Sequence, residues 1–280
     1  MKIVKKVSAP VRIDFAGGTT DIEPFPSKYG GAVLNAAIDK YVFGELVASD
    51  KQVGLKYHVN VPTSSGLGTS GVMNLVWLSL ISNIEDKKKL AEQVYKLEQS
   101  QGLIGGKQDQ YASAFGGINL LEFGRKGSVK VNRLRLKKKT IRQLEKNLIL
   151  VYTGKPHFSG DANKAMINNL KKGKNLESMQ NLKKIAYDMK KTLLKGDLKK
   201  FANLMNQETF ERSKLHKKIL SKETKKIIRK GINSGALAAK ICGSGNGGTI
   251  LFFGDKKKLK KKFRKKAITF RFDWKGVRFL

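Results

Sequence analysis

Residues 62–71, with the sequence PTSSGLGTSG, place two glycines and a pair of hydroxyl side chains just before a long apolar run. Gly66 and Gly68 allow the backbone to approach a ligand closely, and a helix that starts here would begin with unpaired N–H groups. Such a loop can bind phosphate, while Thr69 or Ser70 could cap the helix or contact Mg²⁺. A capped loop without a ligand explains this segment equally well, because short glycine patterns are weak indicators.

Two acids lie on either side of a glycine-rich break further along the chain. Glu98 is near the end of a predicted helix, and Asp109 follows Gly105 and Gly106 in the sequence GGKQDQ. Acids in this arrangement can converge on one pocket, where one binds a metal ion and the other accepts a proton. A pair of acids is more often a solvated surface feature. Asp109, however, has glycines, glutamines and apolar residues as neighbours, which favours a functional role.

Two further clusters contain glycines. In RIDFAGGTTD, Arg12 and Asp21 flank a Gly-Gly turn, so that a fixed cation could lie beside a phosphoryl group and a carboxylate could bind sugar hydroxyls. Taken alone, this segment would be an ordinary strand and turn. In CGSGNGG, residues 242–248, four glycines precede an apolar strand, which indicates close approach of the backbone to a ligand or to another loop.

The first half of the chain supplies the elements that would position these clusters. Strands are predicted at 42–48 and 118–123, where β-branched and aromatic residues lie between glycines and polar turns. Helices are predicted at about 70–81, which is apolar on all sides and therefore buried, and at about 85–101. The basic segment 124–147 is expected to be turn-like.

The second half is predicted to contain more helices. Its strands and helices are expected at about 148–152, 175–194, 197–211, 222–233 and 249–253. A strand, several helices, a glycine loop and a strand predict an α+β fold with two domains, 1–148 and 149–280.

The charge of the chain is strongly positive, with 57 Lys and Arg against 22 Asp and Glu and a formal net charge of +35. Such a surface attracts polyanions, which include nucleic acids and phosphorylated metabolites. No aromatic residues alternate with the lysine runs to stack on bases, so a solvated basic surface is favoured over a nucleic-acid site.

The cysteine content and the hydropathy of the sequence indicate where in the cell the protein is expected to be. The chain has one cysteine, Cys242, which excludes an internal disulfide framework and a cysteine-based metal cluster. No long apolar stretch or signal peptide is evident, so we expect a cytoplasmic protein without membrane association. A monomer or a homodimer is expected.

With the four clusters in this order, the sequence resembles the galactokinase, homoserine kinase, mevalonate kinase and phosphomevalonate kinase (GHMP) superfamily. PTSSGLGTSG is similar to its phosphate loop, GKQDQYASAFGG to its catalytic-aspartate segment and CGSGNGGTILFF to its C-terminal glycine motif. Within the superfamily, RIDFAGGTTD and GGKQDQYASAFGGIN look most like the D-glycero-D-manno-heptose 7-phosphate kinase branch. The resemblance implies a domain like the second domain of ribosomal protein S5, followed by a ferredoxin-like domain.

The resemblance also implies an ATP- and Mg²⁺-dependent kinase and assigns roles to residues. Asp109 would be the base or the acid that orients charge, and Arg12 would lie next to the reacting phosphate. Glu98 would bind Mg²⁺ together with a hydroxyl from Thr69 or Ser70. The expected nucleotide contacts are Pro62, Ser64, Ser65, Gly66, Gly68, Thr69, Ser70, Gly243 and Gly245. The expected substrate contacts are Asp21, Thr20, Lys107, Gly154 and His157.

Several alternatives remain open at the level of sequence. A kinase on this scaffold could act at the 1-position of a sugar, as galactokinase and fucokinase do, or on an isoprenoid or amino alcohol. Asp21 and its polar turn favour a polyol. A basic nucleic-acid-binding protein without catalysis is the alternative from another class. Relatives usually carry a longer insert before residue 62, so part of the nucleotide or sugar wall is expected to be reduced here.

Overall fold

Two antiparallel sheets with flanking helices make up the computed structural model, which describes residues 2–62, 64–156, 160–217, 219–243, 245 and 247–280. The strands are β1 (Lys2–Ala16), β2 (Gly31–Ala48), β3 (Val53–Val59), β4 (Ile118–Phe123), β5 (Val129–Arg133), β6 (Leu148–Tyr152), β7 (Ala236–Ile241), β8 (Thr249–Gly254), β9 (Ala267–Ile268) and β10 (Arg278–Phe279). The helices are α1 (Phe25–Tyr29), α2 (Thr69–Ile81), α3 (Lys87–Ser100), α4 (Gln108–Phe115), α5 (Lys138–Asn147), α6 (Gly160–Lys171), α7 (Leu176–Lys195), α8 (Leu198–Leu215), α9 (Lys222–Ile232) and α10 (Lys256–Phe263).

The first sheet has the order β10-β1-β2-β4-β5, and β3 pairs with the C-terminal part of β2. Strand β2 is long enough to have two partners in succession, β4 along residues 31–36 and β3 along residues 42–48. The short segment before residue 62 therefore forms one arm of a β-hairpin. The predicted strands at 42–48 and 118–123 are confirmed as part of β2 and as β4.

Helices α2, α3 and α4 pack together beside β1 and β2. The apolar sequence of α2 is explained by its position, because Val72, Leu75 and Val76 are completely buried. Gly44 of β2 makes this packing possible: a Cβ there would lie 2.4 Å from Val76 Cγ1. The helices predicted at about 70–81 and 85–101 are confirmed as α2 and α3.

The second sheet has the order β7-β8-β6-β9. Strand β7 lies at its edge, and α8 satisfies part of the exposed backbone of this strand. Asn206 accepts from Ala239 N at 3.2 Å and donates to Leu237 O at 3.0 Å, while Thr209 donates to Ala239 O at 2.8 Å. These bonds cover an edge that would otherwise be open, and they hold α8 against the sheet.

The expectation of a turn-like segment at 124–147 is wrong over most of its length. The segment contains β5 and α5, and Val129, Leu134 and Leu144 are buried among mostly exposed charged neighbours. Each element needs only a few apolar anchors because it packs on an existing sheet, and tertiary packing overrides a weak local preference.

The end of the described chain returns to the first sheet. Strand β10 pairs with β1, with Val7 opposite Phe279 and Ser8 opposite Arg278. The second sheet begins with β6 at Leu148, next to the predicted boundary, but residues 278–279 belong to the first sheet. Among the described residues, no helix has both the length and the apolar character needed to cross a membrane.

Candidate active site

All four sequence clusters meet at one cleft of about 420 Å³. The turn after β1, the loop before α2, the end of α3, the start of α4 and the glycine loop after β7 all contribute to its walls. The predicted site residues that line it are Arg12, Asp21, Ser64, Ser65, Gly66, Gly68, Thr69, Ser70, Glu98, Asp109 and Gly243.

Arg12 joins the acid segment to the glycine loop. Its Nε and Nη2 both lie 2.7 Å from Asp109 Oδ1, and its Nη1 donates to Gly66 O at 2.8 Å. Burial alone would lower the pKa of Arg12, but the negative charges of Asp109 and Asp14 more than offset this and raise it. Arg12 is therefore a permanent cation, fixed between an acid and the loop.

The start of α2 has the properties of an anion site. Gly68 begins the helix in a left-handed conformation with φ +77°. The hydroxyls of Ser65 and Thr69 are buried and have no hydrogen-bond partner in the part of the chain that is described. Unpartnered hydroxyls beside a helix N-terminus can donate to phosphate oxygens, so this loop fits a nucleotide phosphate.

The two glycine loops pack against each other. A Cβ on Gly66 would lie 2.5 Å from Cys242 O, and Thr249 donates to Ser65 O at 2.9 Å. Only a residue without a side chain can occupy position 66. Gly243 thus lies on the cleft beside the first loop, as the glycine-rich sequence 242–248 predicts.

Glu98 is held by two side-chain amides. Asn74 Nδ2 donates to its Oε1 at 2.9 Å, and Gln110 Nε2 donates to its Oε2. Burial is the main cause that raises the pKa of Glu98, and the charge of Asp109 adds to it. Gly71 lies between the two acids: a Cβ there would be 3.1 Å from Asp109 Cβ and 3.6 Å from Glu98 Oε1.

Within the described residues, no cluster of three or more His, Cys, Asp or Glu side chains could hold a metal ion by itself. Mg²⁺ does not require such a cluster, because it usually takes one or two carboxylates together with phosphate oxygens and water. Glu98 and Ser70 both line the cleft, and Ser70 is exposed. Their oxygens are hard donors that suit Mg²⁺ bound together with a nucleotide.

Asp21 is a buried carboxylate with one unused oxygen. Its Oδ2 accepts from Gln108 N at 3.0 Å, whereas its Oδ1 has no partner among the described residues. Burial raises the pKa of Asp21 to about 6, the Gln108 bond opposes this, and the nearby charge of Asp109 adds to it. A Cβ on Gly106 would lie 1.9 Å from Asp21 Oδ2, so this close approach requires glycine.

Sequence reasoning missed a buried group of four charges behind Arg12. Arg212 of α8 contacts Glu208 Oε1 at 2.5 Å and Asp14 Oδ2 at 3.5 Å. Lys240 of β7 contacts the same two oxygens at 3.5 Å and 3.3 Å. The group links the two sheets, and Asp14 and Arg212 also line the cleft. The one feature of the sequence that could have revealed part of this group is the four-residue spacing of Glu208 and Arg212, which is typical of an ion pair on a helix.

Two of the predicted substrate residues lie outside the cleft and have other partners. The Thr20 hydroxyl donates to Gly17 O at 2.6 Å, lies 3.0 Å from Ala32 O and accepts from Ala32 N at 3.1 Å, so it holds the turn against β2. The Lys107 ammonium contacts Glu92 at 2.8 Å and Gly127 O at 2.8 Å. The family resemblance implies that both contact the substrate, but in the structure each has its hydrogen-bond partners within the fold.

Three more predicted contacts also lie away from the cleft lining. Gly245 packs on Ile219, whose carbonyl oxygen would lie 2.7 Å from an added Cβ. Gly154 lies beside the Lys266 ammonium, and Pro62 precedes the part of the loop that lines the cleft. His157 lies outside the described residues.

A glycine loop at a helix N-terminus that faces an acid paired with arginine can hold a phosphoryl donor next to its acceptor, as a kinase requires. The family description "GHMP kinases N terminal domain" matches residues 32–117, and "GHMP kinases C terminal" matches residues 189–270. Together the two matches cover more than half of the chain. The chain belongs to the GHMP kinase family, with the α+β fold that the sequence predicted.

Several kinases of known name are similar to this chain in sequence or in structure. The chain is 29% identical to the D-glycero-alpha-D-manno-heptose 7-phosphate kinase of Campylobacter jejuni, over 91% of this chain and 90% of that protein. The crystal structure of a D-glycero-D-manno-heptose 1-phosphate kinase from Bacteroides thetaiotaomicron aligns with a TM-score of 0.77 at 23% identity, covering 99% of both chains. The phosphomevalonate kinase of Streptococcus pneumoniae aligns with a TM-score of 0.75 at 15% identity, over 100% of this chain and 98% of that one, which shows the shared fold.

Proposed function

We propose that this protein transfers the γ-phosphate of ATP to a hydroxyl of a sugar phosphate of the heptose 7-phosphate kind. The observation that carries the proposal is the Arg12–Asp109 pair, which joins the anion-binding loop to the acid segment within one cleft. Asp21 in the same cleft supports a polyol acceptor, since its free Oδ1 can accept a hydroxyl hydrogen bond. The similarity to the Campylobacter heptose 7-phosphate kinase supports the heptose class.

In the proposed reaction, the acceptor oxygen attacks the γ-phosphorus of ATP and the bond from that phosphorus to the β–γ bridging oxygen breaks, which releases ADP. The proton of the acceptor hydroxyl passes to Asp109. Both contacts from Arg12 use Asp109 Oδ1, which leaves Oδ2 for the acceptor. Arg12 holds Asp109 in place and stabilises negative charge on the transferring group, so that catalysis depends mainly on positioning and charge.

The residues present fit the nucleotide and the metal ion. Ser65 and Thr69 would donate to phosphate oxygens, and Gly66, Gly68 and Gly243 line the cleft beside them. Glu98 and Ser70 would hold Mg²⁺, which neutralises phosphate charge when it is bound.

The direct test of this mechanism is Asp109→Asn, assayed by ADP release with D-glycero-D-manno-heptose 7-phosphate as acceptor. We expect kcat to fall by about 100-fold or more, within the usual contribution of a general base. Asp50→Asn, in an exposed loop, is the control and should keep full activity. Unchanged turnover in Asp109→Asn would remove Asp109 from the mechanism.

A second test concerns the metal ion. Glu98→Gln keeps the size of the side chain and removes its charge, so the variant should need a higher Mg²⁺ concentration for half-maximal rate. An unaltered Mg²⁺ dependence would show that Glu98 does not bind the ion.

The acceptor can be identified by thermal shift with a non-hydrolysable ATP analogue, because a ligand of the folded state raises its melting temperature. We expect stabilisation by heptose phosphates rather than by galactose, fucose, mevalonate or homoserine. The non-catalytic alternative predicts RNA binding that persists at physiological salt without ATP binding.

A further inference from the structure

A second buried carboxylate in the cleft also has an unused oxygen. Asp14 is 2% exposed, lines the cleft, and lies two residues after Arg12 on β1. Its Oδ1, like Asp21 Oδ1, is buried without a hydrogen-bond partner among the described residues. An ionised carboxylate oxygen that is buried without a donor costs free energy, and a bound donor group would recover it.

The other oxygen of Asp14 shows why this carboxylate stays charged. Lys240 Nζ lies 3.3 Å and Arg212 Nη2 lies 3.5 Å from Asp14 Oδ2. Burial by itself would raise the pKa of Asp14, but Lys240 and then Arg212 lower it below its ordinary value. Both cations therefore hold Oδ2 and leave Oδ1 as an acceptor.

The surroundings of Asp14 and Asp21 are built alike. A Cβ on Gly18 would lie 2.1 Å from Asp14 Oδ2, just as one on Gly106 would lie 1.9 Å from Asp21 Oδ2. Asp14 and Asp21 both line the same cleft, and the charge of Asp14 adds to the causes that raise the pKa of Asp21. A glycine thus packs against the occupied oxygen of each acid.

We infer that Asp14 is a second hydroxyl-binding carboxylate of the acceptor site, which works with Asp21 to bind two hydroxyls of one polyol. Lys240 is its positioning residue, since it contacts Asp14 from β7 and is itself fully buried. The inference rests on the proposed function, in which the acceptor is a sugar phosphate.

The test compares acceptors that lack one hydroxyl at a time. The value of kcat/KM is measured for D-glycero-D-manno-heptose 7-phosphate and its single deoxy analogues, with wild-type protein, Asp14→Asn and Asp14→Asn/Lys240→Met. The double variant removes one negative and one positive charge, so the buried group keeps its net charge. Asp50→Asn is the matched control, because it makes the same change at an exposed position.

For the wild type and the control, we expect the loss of one particular hydroxyl to lower kcat/KM by about 10- to 100-fold, the value of a hydrogen bond to a charged group. In both Asp14 variants the same deletion should cost less than about 3-fold. The hydroxyl bound by Asp21 should keep its full effect. Each result is a ratio within one preparation, so a smaller folded fraction does not alter it.

Equal discrimination by the wild type and both Asp14 variants would overturn the inference while the proposed function stands. Asp14 Oδ1 would then be satisfied inside the protein. Asn35, whose amide also has no partner among the described residues, lies directly opposite Asp14 in the β1–β2 register. A wild-type protein that phosphorylates none of these sugars would instead overturn the proposed function and this inference together.

Discussion

Gly68 and Asp109 are in contact, since a Cβ built on Gly68 would lie 2.9 Å from the carboxyl carbon of Asp109. The residue that starts α2 in a left-handed conformation therefore also provides the space for the acid. Gly106 has the same relation to Asp21, and Gly18 to Asp14. These three glycines are therefore needed for the positions of the three carboxylates.

Gly68→Ala should therefore impair both stability and catalysis. The left-handed conformation alone costs a residue with a side chain about 1–2 kcal/mol, and the contact with Asp109 would displace the acid. We expect kcat to fall by at least about 10-fold, measured by coupled ADP release. Gly102→Ala is the matched control, because Gly102 has φ +72° but no atom within 4 Å of an added Cβ. An equal loss of kcat in both variants would contradict the role of the contact.

Asp21→Asn should make the protein more stable at neutral pH. The pKa of Asp21 is raised from 3.8 to about 6 in the folded state, so the folded form binds the proton more tightly than the unfolded form. The contribution of Asp21 to wild-type stability should therefore fall as pH rises from about 4 to about 6, by at most about 3 kcal/mol. The variant lacks this loss, which urea denaturation at pH 4 and pH 7.5 would measure.

The same variant should bind its acceptor less well. We expect a higher KM for the sugar phosphate and an unchanged KM for ATP, because the ionised carboxylate is lost only at the acceptor end. Asp50→Asn should change neither quantity. A variant that is no more stable than wild type at pH 7.5 would contradict the raised pKa.

Lys240→Met should destabilise the fold by about 3–5 kcal/mol, because it leaves the buried acids Asp14 and Glu208 with one cation between them. Adding Glu208→Gln to this variant removes the surplus charge. The double variant should recover at least half of the lost free energy of unfolding, measured by urea denaturation. If it is less stable than Lys240→Met, the charges are not coupled as their distances indicate.

Arg12→Lys should lower kcat by about 100-fold although it keeps the positive charge. Arg12 contacts Asp109 through two nitrogens and Gly66 O through the third, and a lysine ammonium cannot reproduce this geometry. Arg135→Lys, at an exposed position, serves as the control in the same assay. Near wild-type turnover in Arg12→Lys would show that charge alone is sufficient.

The sequence predicts a helix well where the apolar residues have a clear helical pattern. It predicts a helix poorly where packing against the rest of the protein determines whether the helix forms. Helix α2 follows from a run that is apolar on every side, whereas α5 has Thr140 and Leu144 as its buried residues among lysines. No local signal distinguishes such a helix from a basic turn, because its stability comes from the sheet beneath it.

In the candidate site too, some residues could be predicted from sequence motifs, whereas others depend on how the elements pack. Glycines and acids at motif spacing predicted the residues that meet at the cleft, including Arg12 and Asp109. The sequence could not show that Lys107 is bound by Glu92, since this depends on how α3 packs on α4. Nor could it show that Arg212 and Lys240 are buried, because lysine and arginine are rarely buried and this chain has 57 of them.

The pairing of β10 with β1 bears on the order in which the protein folds. Residues 7 and 279 are neighbours in the first sheet although almost the whole chain separates them. Contacts between such distant residues form slowly, because a long loop must close first. During synthesis, the edge of β1 that pairs with β10 has no strand partner until residue 279 has left the ribosome. Completion of the first sheet is therefore a late folding event, even though most of its strands are made early.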